Sequence, residues 1–176
     1  ANYVTVYTRT ATGNTAPLRT LIGAATGLND PTKVAVDLTN NELVVVNAVG
    51  NAVTAYTRTA TGNTAPLRTL IGAATGLSQP IHFALDLTNN ELVVGNAIGS
   101  SVTVYNRTAN GNIAPLRTLI GAATGLNGPA GIAVTTASAA STPIPTLSEW
   151  AQFGMALILV AVAVWHLRRR RTLGTA

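Results

Sequence analysis

The string APLRTLIGAATGL stands three times without a change, at residues 16–28, 65–77 and 114–126, a spacing of 49 residues. Its flanks recur in step: Tyr7, Tyr56 and Tyr105; Arg9, Arg58 and Arg107; Pro31, Pro80 and Pro129. A period of that length marks a structural unit that buries its apolar surface against the next unit, not a short motif inside a larger fold. Whatever residues 1–135 form, they form it from like parts packed on one another.

Within one period the pattern reads as strands. Residues 3–7, YVTVY, alternate apolar and polar and are rich in β-branched and aromatic side chains. ATGNT at 11–15 supplies the Gly and Asn that tolerate positive φ, so it is expected to turn. A short strand follows at 17–22, entered through Pro17, which costs no ladder bond at a strand's first position. After GAATGLNDP come VAVDL at 34–38, a hairpin turn at Thr39, Asn40 and Asn41, and ELVVV at 42–46. Residues 52–56, AVTAY, restart the cycle, so one period holds four short strands. In ELVVV, Leu43 and Val45 point to one side and Val44 and Val46 to the other. Both sides are apolar, which predicts a sheet covered on both faces.

Composition supports an exported or self-covered protein. Charged residues are 10% of the chain, against about 25% in an average soluble protein. Cysteine is absent, so neither disulfides nor thiolate metal sites contribute. The formal charge of +5 divides unevenly. Six Arg and Lys33 against five acids leave residues 1–135 at +2, while Arg168, Arg169, Arg170 and Arg171 against Glu149 give the remainder +3. A nucleic-acid partner is not expected, because such proteins spread basic residues and aromatics over a folded face.

The order Pro-x-x-(Val/Phe/Ile)-Ala-(Val/Leu)-(Asp/Thr), a turn, Glu-Leu-Val-Val, Asn, and Val-Thr-(Val/Ala)-Tyr resembles the NHL-type and YVTN-type β-propeller repeats of bacterial surface proteins. The resemblance implies an all-β fold of four-stranded, propeller-blade-like repeats. Two whole blades are expected, at about residues 32–72 and 81–121, with a leading pair of strands and one trailing strand at 131–134. Known closed propellers have at least four blades, so closure by this chain alone is not expected. A β-solenoid is the rival, although its coils are usually shorter.

Residues 136–149 form a small-residue linker running into Pro143 and the motif Ile144, Pro145, Thr146, Leu147. The apolar run between Trp150 and Leu167 would be about 27 Å long as a helix, near the roughly 30 Å of a bilayer's hydrocarbon core. Trp150 and Trp165 sit where interfacial aromatics belong, and Arg168 to Arg171 mark a cytoplasmic end. Residues 150–171 therefore read as a transmembrane-type helix with an Arg cluster, and 172–176 as a tail. IPTL motif, apolar helix and Arg cluster together resemble the IPTL-type C-terminal sorting signal, similar to the PEP-type signals handled by exosortases. That resemblance implies a Gram-negative protein held by its tail with the repeats outside, then processed by an exosortase-type protease and passed to the surface or matrix. A start at Ala1 in mid-repeat suggests a processed or trimmed form.

Candidates for chemistry are few, and no catalytic, metal or cofactor residue is proposed. Asp37 and Asp86 precede Thr-Asn-Asn and are expected to accept turn N–H groups. Glu42 and Glu91 are expected to be solvated at strand starts, and His82, which lacks a repeated counterpart, to pack or lie at the surface. Arg9, Arg58 and Arg107, with Arg19, Arg68 and Arg117, could form a ladder for anionic exopolysaccharide, or could simply keep strand edges soluble. No G-x-S-x-G, H-E-x-x-H or phosphate-loop motif occurs, so a lyase or hydrolase would rest on fold analogy alone.

The expectation is thus a non-enzymatic surface or matrix protein without a cofactor, self-associating into a homo-oligomer or filament and attached to membrane through its C-terminal helix. The alternative is a carbohydrate- or ligand-binding propeller module. In the assembly expected here, the trailing strand near Ile132 would join the leading strands near Val4 and Leu18 of another subunit.

Overall fold

The computed structural model describes residues 2–135, which are all-β with single-turn 3-10 helices at the connections. A two-stranded sheet comes first, β1 (Tyr3–Val6) with β2 (Arg19–Ile22). The second sheet holds β3 (Pro31–Asp37), β4 (Glu42–Asn47), β5 (Ala52–Thr57) and β6 (Arg68–Ile71). The third holds β7 (Pro80–Asp86), β8 (Glu91–Asn96), β9 (Ser101–Asn106) and β10 (Arg117–Leu119). Within each of these sheets every pairing is antiparallel and joins strands consecutive in sequence.

Turn chemistry sets these meanders. Asp37 Oδ1 accepts the backbone N–H groups of Thr39 (3.0 Å) and Asn40 (3.1 Å), and Asn41 takes φ 55°, a left-handed conformation that Asn tolerates. Asp86, Thr88, Asn89 and Asn90 repeat the arrangement, as expected for both aspartates.

Packing follows the alternation along β4. Val44 and Val46, with Val53, Ala55 and Leu70, form one core cluster with Phe83, Leu92, Val94 and Tyr105 of the third sheet. Leu43 and Val45, with Tyr56 and Ala60, form another with Leu21 and Leu28 beside the first sheet, where Val4 also packs. The second sheet therefore packs on both faces along β4, which is buried over its whole length, while Val34 and Val36 of β3 stay about half exposed. Residues of opposite parity leave a strand on opposite faces, which is why adjacent valines belong to different cores.

Two polar devices recur in these cores. Asn47 accepts the Asn29 N–H at its Oδ1 (3.0 Å) and donates from Nδ2 to Thr54 Oγ1 (3.0 Å); Asn96 does the same with Ser78 N–H (3.1 Å) and Thr103 Oγ1 (3.0 Å). The Tyr56 hydroxyl donates to the Thr26 carbonyl and the Tyr105 hydroxyl to the Thr75 carbonyl, both at 2.6 Å. A buried polar group so satisfied fixes register without the cost of an orphaned donor.

One expected strand does not form. Residues 131–134 are not paired, because a first strand bonds only to a second one and the sequence after Thr135 carries no further Glu-Leu-Val-Val. Ile132 still lies over the third sheet: a Cβ built on Gly95 would stand 3.1 Å from Ile132 Cγ1. Gly95 occupies the place of Val46 in the second sheet, and its missing side chain admits Ile132. The predicted linker at 136–149, the apolar helix at 150–171 with its IPTL motif and arginines, and the tail at 172–176 lie outside the described residues. No helix among the described residues is long and apolar enough to cross a membrane.

Candidate functional site

The six repeat arginines do not stand alike. Arg68 forks onto both carboxylate oxygens of Glu42, and Arg117 onto both of Glu91. The partners lie two strands apart, yet they meet diagonally across one face. On the intervening β5, Glu42 faces Thr57 and Arg68 faces Ala55, two positions apart. This corrects the expectation of solvated glutamates, since Glu42 is buried and Glu91 partly so. Two-pronged guanidinium contact offsets the cost of taking a carboxylate out of water. It holds the Glu91 carboxyl below its ordinary range and raises Arg117.

Arg107 is buried and donates from Nη1 to Asp37 Oδ1 at 3.0 Å, an ion pair between the third and second sheets. Its Nε also donates to Asn90 Oδ1 at 3.0 Å. Arg58 makes the corresponding bond to Asn41 Oδ1 (2.7 Å) but meets no carboxylate. Arg19 Nη2 donates to the Arg58 carbonyl at 3.2 Å, and Arg19 Nε is buried without a partner. Among the described residues, Arg9, Arg19 and Arg58 form no ion pair, so three of the six ladder residues keep their charge uncompensated. Asp86 is held below the ordinary carboxylate range, first by the Asn89 backbone N–H and next by the Asn89 side chain. Burial pushes the Tyr56 and Tyr105 phenols up, against the opposing hydroxyls of Thr54 and Thr103.

The identical string has a geometric purpose: it is one half of a latch between sheets. The β5–β6 loop crosses to the edge strand β2, where Gly62 N–H donates to Thr20 O (2.7 Å) and Ile22 N–H to Gly62 O (2.9 Å). Asn63 then caps the next turn, its Oδ1 accepting the Ala25 N–H at 2.8 Å. Gly23, at φ 129°, makes room for it, since a Cβ there would fall 2.3 Å from Asn63 Oδ1. The β9–β10 loop repeats the latch on β6. Gly111 bonds with Thr69 (2.8 Å) and Ile71 (3.1 Å), Asn112 Oδ1 takes the Ala74 N–H (2.8 Å), and a Cβ on Gly72 would stand 2.4 Å from that oxygen. So the ATGN-type loop of one unit reads the RTLIGAA of the unit before it.

The sequence held one signal for the latch, Gly and Asn repeating in the loop in step with a Gly ending each RTLI strand. Local propensity offered only a turn. For Asp37 and Arg107, 70 residues apart, the fixed offset within a unit points to Arg58 instead. His82 is partly buried with its Nδ1 unpartnered, which places it as a packing residue. No group of three or more His, Asp or Glu side chains capable of holding a metal occurs among the described residues. A groove of about 240 Å³ lies between the first and second sheets, lined by Tyr3, Val4, Lys33, Val34 and Val45. The sorting-motif residues Ile144 to Leu147 and the anchor residues Trp150, Trp165 and Arg168 to Arg171 lie outside the described residues. No protein-family model matches the chain, and no curated protein does.

Proposed function

We propose that the chain is a non-enzymatic structural protein of a bacterial surface or extracellular matrix, whose sheets are β-propeller-type blades that self-associate. The observation that carries this is the contrast between covered and uncovered sheet faces. Val34 of β3 and Leu119 of β10 are about half exposed, although their counterparts Phe83 and Leu70 are buried. Apolar faces of that kind on a low-charge protein serve as contact surfaces. The antiparallel four-stranded meanders, stacked face to face, support the blade assignment and agree with the NHL/YVTN-type resemblance. The IPTL-type signal supports export, membrane attachment through residues 150–171, and handling by an exosortase-type protease.

Two measurements test this function. The full chain, taken from native cell envelopes or purified in detergent, should assemble with increasing concentration and without added ligand. Replacing Arg168 to Arg171 together by neutral residues should impair retention or orientation. A chain that stays monomeric, or a variant anchored and processed like the parent, overturns the corresponding part. A second function, binding of anionic exopolysaccharide, has its own observation in the uncompensated Arg9, Arg19 and Arg58. Saturable, salt-sensitive glycan binding by a monomer would favour it.

A further inference from the structure

The latch occurs twice in full, and its two halves each occur once more without a partner. In the first unit, Thr12, Gly13 and Asn14 repeat Thr61, Gly62 and Asn63, and Gly13 has φ 62° against 60° at Gly62 and 75° at Gly111. The loop already holds the conformation that fits. Asn14 makes no side-chain hydrogen bond among the described residues, where Asn63 and Asn112 each accept a backbone N–H. In the third unit, residues 117–125 repeat the receiving half, with Gly121 at φ 113° against 122° at Gly72 and 129° at Gly23. A Cβ on Gly121 would meet nothing among the described residues, where both other copies meet an asparagine.

The apolar surroundings match the bonds. Leu70, beneath the second latch, is 1% exposed, whereas Leu119 is 54% exposed. Tyr56 and Tyr105 are fully buried with their hydroxyls on Thr26 and Thr75 carbonyls, whereas Tyr7 is 47% exposed. Beside Leu119 a mostly apolar groove of about 350 Å³ opens between Val102, Val104, Arg117 and Thr118. It continues the surface against which the internal copies seat their next unit.

We infer that the Thr12–Gly13–Asn14 loop of one copy docks into the Thr118–Gly121–Ala123 edge of a second copy, with Tyr7 in the groove beside Leu119. Gly13 would exchange backbone bonds with Thr118 and Ile120, Asn14 would accept the Ala123 N–H, and the Tyr7 hydroxyl would donate to the Thr124 carbonyl. This rests on the self-association proposed above and adds its residues and its polarity. The contact is heterologous, one surface meeting a different one, so it propagates head to tail.

Two variants of the full chain, followed by sedimentation velocity in detergent, test it. Asn14→Lys puts a long cation where an acceptor must reach Gly121, and Gly121→Ala puts a methyl where the asparagine must sit. Blocking the seat of Asn14 forfeits its own bond and the two at Gly13; three hydrogen bonds of ordinary strength should weaken docking by about a hundredfold or more, so each variant alone should stay monomeric where the parent assembles. Mixed in equal amounts, they should form dimers that grow no further, because one retains an intact loop and the other an intact edge. Dimers on mixing also show that neither variant is merely unfolded. A parent that assembles while either variant assembles equally well, or a mixture that stays monomeric, overturns this docking and leaves self-association standing. A monomeric parent overturns both.

Discussion

The same thirteen residues end the second sheet and the third, and their environments are opposite. Leu70 is sealed beneath the third sheet, its neighbour Gly72 is filled by Asn112, and the Thr75 carbonyl holds a tyrosine. Leu119 faces solvent and Gly121 is empty. Strand, 3-10 turn and left-handed glycine form in both, with Gly76 at φ 69° and Gly125 at φ 67°. Local structure therefore needs only the string itself, while burial needs the unit that follows. The hydrophobic term belongs to junctions and not to units, as in other repeat proteins.

The sharpest way to break this comparison is to truncate the leucines. Leu70→Ala should lose about 3 kcal/mol of unfolding free energy, and Leu119→Ala under about 1 kcal/mol, measured by urea denaturation at concentrations where the chain is monomeric. Equal losses would mean that burial at the junction does not decide stability. Next in size is the pair of arginines. Arg107→Met leaves the buried Asp37 without its guanidinium and should cost about 2 kcal/mol, softened by the turn N–H groups that remain. Arg58→Met removes a bond on an exposed side chain and should cost about 0.5 kcal/mol or less. If Arg58 mattered as much, the inter-sheet ion pair would contribute nothing distinctive.

A smaller effect is expected at the latch. Asn63→Ala should cost about 0.5 kcal/mol by removing the bond to the exposed Ala25 N–H, while Asn14→Ala should leave monomer stability unchanged. A hydrogen-exchange comparison at Ala25 would report the difference directly. Least in size is the response to pH. Glu91 and Asp86 titrate in the folded chain below their ordinary 4.5 and 3.8, so their stabilisation is present above those values and drains away as pH falls through the lowered ones. Tyr56 and Tyr105 titrate above their ordinary 10.0, so the fold is intact below pH 10 and weakens as pH rises past it. Denaturation midpoints should form a plateau between these limits. Glu91→Gln should flatten the acid limb; an acid limb unchanged by it would remove Glu91 from the account.

Much of the fold was legible because its causes are local. Alternation along ELVVV assigned Val44 and Val45 to opposite cores, and the position of Asp37 before Thr-Asn-Asn specified a turn that it caps. The ion pairs were not legible, because Glu42 looks like any strand-end glutamate until Arg68 is seen diagonally across β5. Nor could the latch be read, since Gly62 and Asn63 satisfy turn propensity equally well whether or not β2 lies within reach. The unpaired segment at 131–134 shows the converse: a sequence with the right alternation stays out of a sheet when no second strand among the described residues receives it. The docking inferred above uses a loop and an edge, where the sequence suggested contact between the segment near Ile132 and the leading strands near Val4 and Leu18 of another copy.

Interchangeable latches have a consequence at the level of the gene. Because loops and receiving strings repeat at one spacing, gain or loss of one whole period by unequal crossing-over would keep the latch glycines and asparagines in step. Length would then become adjustable within a lineage without a new core having to evolve. The same repetition puts a nascent chain at risk, since an edge can receive the wrong loop before its own has been synthesised. Ordered folding from the amino terminus, one unit docking as the next emerges, is the natural protection against that error.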